Sequence, residues 1–91
     1  MTDLGITKLC AEAIGWELSC GGVIFDPLYN DLHAMALVKK FMLDCWFDPG
    51  RGSWKAQYSV EAQSENDDLN RAICECVAKM QEAKSGQRDT A

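Results

Sequence analysis

Five thiols and one imidazole are the side chains most able to do chemistry in this 91-residue chain: Cys10, Cys20, Cys45, Cys74, Cys76 and His33. Zinc is held by Cys and His in close pairs on short loops. The one close pair, Cys74 and Cys76, falls on an expected helix. Two residues along a helix turn a side chain by roughly 200°, so these thiols cannot share an ion. Cys10, Cys20 and Cys45 stand alone within apolar patterns and read as small core residues. A nucleophilic thiol needs a base beside it. His33 lies on the expected polar face of a helix with Lys40 and Asp44 nearby, and no cysteine shares that face. The expectation is a non-enzyme with no catalytic residue, no metal and no cofactor.

Two other groupings carry charge. Glu61, Glu65, Asp67 and Asp68 lie within eight residues. Acidic groups at a helix start suit the positive end of the helix dipole, and a solvated loop explains the rest. The same run also makes an acidic patch for a basic partner. Pro49-Gly50-Arg51-Gly52-Ser53 lacks the Lys-Ser/Thr ending of a phosphate loop and leads into a strand, so it reads as a hairpin turn with Arg51 at its tip. Arg51, Glu61, Glu65, Asp67 and Asp68 are the candidate partner-binding residues. Trp46 and Phe47 are adjacent in an extended stretch and must point to opposite sides. Either the sheet is covered on both faces there or one ring is exposed and marks an interface.

The elements that position these groups follow from periodicity. Thr2 or Asp3 caps a first helix whose apolar face is Ile6, Leu9, Cys10, Ala13 and Ile14, with Thr7, Lys8, Ala11 and Glu12 opposite and Gly15 as its stop. Trp16, Leu18 and Cys20 alternate with polar residues as a strand, broken at Gly21-Gly22; Val23-Ile24-Phe25 continues it or forms another. Asn30 or Asp31 caps a second helix with the core face Ala34, Leu37, Val38, Phe41, Met42 and Cys45. Trp46-Phe47, the turn, and an unbroken period of two from Trp54 to Gln63 make a hairpin with one buried and one polar face; Trp54 and Tyr58 belong to the buried one. A polar loop from Ser64 to Asp68, with Asp67 or Ser64 as cap, leads to a third helix striped by Leu69, Ala72, Ile73, Cys76, Val77 and Met80. Asn70, Arg71, Cys74, Glu75 and Lys79 face away. The fold class is therefore α+β: a small, mostly antiparallel sheet including a C-terminal β-hairpin, packed with three amphipathic helices as a layered α/β/α sandwich. Residues 1–83 form one domain and residues 84–91 a flexible tail.

Composition bounds the setting. The net charge of −5 repels nucleic-acid phosphates and anionic membranes and favours basic partners or none, mild acidity also serving solubility alone. The first residues have neither a basic start nor an apolar run, and no stretch is long enough to span a bilayer. With an odd number of cysteines, the expectation is free thiols in a reducing cytoplasm.

Ile14-Gly15-Trp16 at a helix end, Tyr29-Asn30-Asp31-Leu32-His33-Ala34 at a helix start, a Trp-bearing hairpin, and Arg71-Ala72-Ile73-Cys74 in the last helix resemble the small phage and prophage proteins of the phage ABA sandwich domain family. The resemblance runs from the first helix to about Met80. It implies a virus-encoded protein made in a bacterial cytoplasm and folded as layers of helix, sheet and helix. The family supplies no agreed activity and no catalytic residues to carry over. Tyr29 stands where the family has tryptophan, and the polar alternation after Trp54 leaves a sheet face uncovered unless a second copy of the chain covers it as a homodimer. The functional expectation is an accessory protein that binds a host or viral macromolecule, in one version to counter a host defence system. The alternatives are a small-ligand binder that sequesters a nucleotide through Arg51 and exposed aromatics, and a minor virion component.

Overall fold

Thr2 opens the first helix as expected: its hydroxyl accepts the Gly5 N–H at 3.0 Å. The computed structural model describes residues 2–16 and 24–90, with side chains through Lys84. Helix α1 spans Asp3–Ile14 and ends at Gly15, whose φ of 78° is the left-handed turn glycine adopts without strain. Its buried residues are Ile6, Cys10 and Ala11. Ala11 was expected on the polar side, but a methyl group fits wherever a second helix comes close, so its burial was not set by the helical period alone.

The expected strand from Trp16 to Cys20 lies, after Trp16, outside the described residues. Ile24 and Phe25 are not in a strand; Phe25 is buried and Ile24 exposed. A turn follows, closed by the Asn30 N–H donating to the Asp26 carbonyl at 2.8 Å. Helix α2, Asp31–Phe41, begins at Asn30, whose side-chain oxygen accepts the Leu32 N–H at 2.9 Å and the His33 N–H at 3.3 Å. Ala34 and Leu37 are buried, with Val38 and Phe41 packed beside them. The helix stops four residues short of the expected Cys45. Met42 adopts φ 52°, ψ 51° and is 86% exposed, while Leu43 turns into the core.

Three strands follow: β1 (Asp44–Asp48), β2 (Ser53–Gln57) and β3 (Gln63–Asn66), an antiparallel sheet in the order β1-β2-β3. The first turn is the expected one. Asp48 Oδ1 accepts the Gly50 N–H at 3.0 Å, and Gly52 takes a positive φ of 65°. The ten-residue alternation is not one strand, however. At Tyr58–Ala62 the chain reverses: the Ala62 N–H donates to both the carbonyl and the hydroxyl of Ser59, and the Tyr58 N–H donates to the Ala62 carbonyl at 2.9 Å. Tyr58 and Val60 are left exposed. A period of two sets faces but not strand length, and the serine hydroxyl offers the backbone a turn. The polar stretch from Ser64, expected as loop, therefore supplies most of β3.

Helix α3 runs Leu69–Thr90, through the segment from Lys84. Its cap is Asp68 rather than Asp67 or Ser64: Asp68 Oδ2 accepts the Arg71 N–H at 3.3 Å. α3 packs against β2 and β3, against α1 and against α2. Cys74, expected to face away, is fully buried, as are Ala72, Cys76, Val77 and Ala78. The cause is that α3 is covered on opposite sides. On the α1 side the Cys10 thiol donates to the Cys74 carbonyl at 3.3 Å, and the Gln81 amide donates to Glu12 at 2.7 Å. On the sheet side the Cys76 thiol donates to the Ala62 carbonyl at 3.2 Å, the Ser64 hydroxyl to Glu75 at 3.0 Å, and Lys79 to the Gln63 carbonyl at 2.9 Å. The molecule is thus α+β and layered, with α3 between the sheet and α1. Among the described residues no helix is long and apolar enough to cross a membrane.

Met42 carries left-handed backbone strain with almost no packing in return. Met42→Gly is expected to raise stability by about 0.5–1 kcal/mol, read as a higher urea midpoint at unchanged slope. An unchanged or lower midpoint would show that the left-handed cap costs nothing here.

Candidate interaction surface

The hairpin register fixes what stands where on the sheet. Trp46 pairs with Lys55, and Lys55 with Glu65, so these three lie in one row on the face turned away from α3. Phe47 pairs with Trp54 on the other face, their rings edge to face with centroids 5.2 Å apart. Trp46 is 42% exposed and Phe47 47%. The fork left by the sequence thus resolves with both rings exposed, because among the described residues β1 pairs only with β2 and neither face covers it fully.

The candidate charges divide. Arg51 reaches across from the hairpin tip to Glu65, Nη1 to Oε1 at 2.8 Å, and the Ser53 hydroxyl donates to the other Glu65 oxygen. The tip and one member of the acidic run, taken from the sequence as separate surfaces, are one cluster on the outer sheet face. Glu61 lies exposed in the turn before β3, Asp67 is exposed in the loop after it, and Asp68 is committed to capping α3. The run is therefore not a single continuous patch. The Ser53 hydroxyl bond, and after it the charge of Arg51, hold the Glu65 carboxyl below the usual glutamate range.

Three residues not singled out from the sequence, Lys55, Gln63 and Lys79, complete the surface. Trp46, Lys55, Gln63, Glu65 and Lys79 line a shallow cleft of about 230 Å³. Lys55 Nζ also stands 3.6 Å from Asp48 Oδ2. The signal for Lys55 was present: once the turn is placed at residues 49–52, simple pairing puts it beside Trp46. Lys79 gave no such signal, since its place depends on where α3 crosses β3.

Cys10, Cys74, Cys76 and His33 are used structurally. Cys10 and Cys74 meet in the core between α1 and α3. Burial pushes the Cys76 thiol up to about 11, and the Cys74 thiol is raised further, first by its contact with Cys10 and then by burial. Among the described residues no three His, Cys, Asp or Glu side chains gather where they could hold a metal ion. His33 is not a plain surface residue, as its place on the polar face suggested. Its Nδ1 accepts the Asp26 N–H at 2.9 Å, and its ring lies 5.2 Å from Trp16 and 5.3 Å from Phe25. It pins the chain entering α2. Cys20 lies outside the described residues. Of the described thiols, Cys45 alone is exposed, and burial of its sulfur, with the charge of Asp44, raises it above the usual cysteine range.

A network of charges closes the other end of the molecule. Arg71 pairs with Asp3 at 2.8 Å and with Glu75 at 3.3 Å, and the Asn70 amide donates to Asp31 at 2.8 Å. The bond from Arg71 lowers the Asp3 carboxyl. These contacts tie α1 and α2 to the first turns of α3. No family model, curated protein or solved structure matches this chain.

Because the Glu65 carboxyl is lowered on folding, its contribution to the hairpin is present above the ordinary glutamate value of about 4.3 and is lost as pH falls through the folded value. In an NMR titration Glu65 is expected to titrate below the ordinary glutamate value of about 4.3, and Ser53→Ala to move it upward. Titration of Glu65 at or above the ordinary glutamate value in the unmodified chain would contradict the assignment. Maleimide applied to the folded protein is expected to modify Cys45 before Cys10, Cys74 or Cys76, as read by peptide mass mapping. Equal modification of Cys74 would contradict its burial.

Proposed function

We propose that this chain is a small phage or prophage accessory protein that acts without catalysis, by binding a host or viral protein and occluding the surface that partner uses. The observation that carries the reading is the exposure of two large rings, Trp46 and Phe47, on opposite faces of one edge strand, next to the Arg51–Glu65–Ser53 cluster. Aromatic groups flanked by charge are typical of protein interfaces. The net charge of −5 supports a basic partner and speaks against direct binding to nucleic acid or an anionic membrane. A nucleic-acid-binding host defence protein has the basic surface this reading requires, and countering one is its most specific form.

The cleft between Trp46, Lys55 and Lys79 favours a second reading, a binder of a small planar anion such as a nucleotide. Its volume falls below the range of about 300–1,000 Å³ usual for such sites, and so the protein-binding reading stands first.

The two readings part in one experiment. The tagged protein, and a Trp46→Ser/Phe47→Ser variant checked for folding by circular dichroism, are used to capture proteins from a bacterial lysate at low and high salt. A partner retained by the parent at low salt, released at high salt and lost from the variant is the expected outcome. Equal capture by both proteins, or none together with thermal stabilisation by a nucleotide, would overturn it.

A further inference from the structure

We infer that the outer edge of β1 takes up an extended segment of the partner as a fourth strand, and that this segment carries basic residues at two positions four apart with apolar residues between them. This rests on the protein-binding reading and specifies how the partner is held.

An edge strand presents a row of unpaired backbone donors and acceptors, and proteins usually guard it with lysine, proline or a bulge. β1 has none of these. Its sequence is Asp44-Cys45-Trp46-Phe47-Asp48, and its register with β2 is one to one throughout, Asp44 opposite Gln57 to Asp48 opposite Ser53. Among the described residues no strand pairs with its other side. All its residues except Asp48 are exposed.

What guards this edge is its charge, and charge discriminates between occupants. An antiparallel second copy, in the register that uses all five residues, sets Asp44 opposite Asp48 at both ends. Like charges directly opposite one another destabilise a strand pair. A segment with Lys or Arg at those two places converts both repulsions into attractions. The residues opposite Cys45 and Phe47 then fall on the face nearer α3 and are apolar, while the residue opposite Trp46 lies on the outer face. Asp44 forms no ion pair among the described residues, whereas Asp48 is shared with Lys55 and the Gly50 N–H. Asp44 therefore carries the larger part of the selection. Backbone pairing supplies affinity and alternate side chains supply specificity, the general mode of strand addition.

The test uses the ¹⁵N-labelled full chain and two capped peptides, Gly-Ser-Lys-Val-Thr-Val-Lys-Ser-Gly and the same peptide with both lysines replaced by glutamate. The basic peptide is expected to shift amides at residues 44–48. Asp44→Lys, a change at an exposed strand end, is expected to weaken it about three- to tenfold and to improve binding of the acidic peptide. Equal binding of the two peptides, no shift at residues 44–48, or a concentration-dependent dimer with shifts at the same residues would overturn the proposal. Shifts confined to residues 61–68 would overturn strand addition while leaving the protein-binding reading in place, which the lysate capture tests separately.

Discussion

The fold depends on α3 being covered on opposite sides at once. A helix in so small a domain ordinarily buries one stripe. Here the residues that would complete its polar face are small: Cys74 and Ala78 leave room for α1, and Cys10 and Ala11 on α1 answer them. The approach is close enough for a thiol on one helix to donate to a backbone carbonyl on the other. On the opposite side the helix is stitched to β3 and the turn before it by Glu75, Cys76 and Lys79. Cys10, Cys74 and Cys76 serve this packing, where a compact, weakly polar side chain suits a crowded interface.

That arrangement explains which parts of the structure could be read in advance. The three helices, the α1 caps at Thr2 and Gly15, the Asn30 cap and the turn at residues 49–52 rest on local rules, and the structure has them. Cys74 and Ala11 were misplaced because helical periodicity assumes one buried stripe, and only tertiary packing reveals a second. The single long strand from Trp54 was misjudged for a related reason. Alternation persists across the turn at Tyr58–Ala62, since Ala62 is again buried, so the pattern gives no sign that the chain has reversed. Met42 and Cys45 were assigned to α2 because their spacing continues its stripe, although the chain leaves the helix at Met42 through a left-handed residue.

The candidate surface was half legible. Arg51 at a hairpin tip and the Trp46–Phe47 pair follow from the turn residues and from strand geometry. The pairing of Arg51 with Glu65 needed β3, which was not expected, and without it the hairpin tip and the acidic run looked like separate places. What the structure adds is an asymmetry: interior polar groups and thiols are nearly all engaged in holding α1, α3 and the sheet together, while β1 contributes little to that core and shows both rings to the outside.

Native-state hydrogen exchange tests this division most directly. The account predicts that amides of residues 72–80 exchange only through global unfolding, while the residue 44–48 amides not bonded to β2 are the least protected in the sheet. Residues 72–80 opening locally, or every amide of residues 44–48 protected as strongly as α3 in the isolated protein, would contradict it.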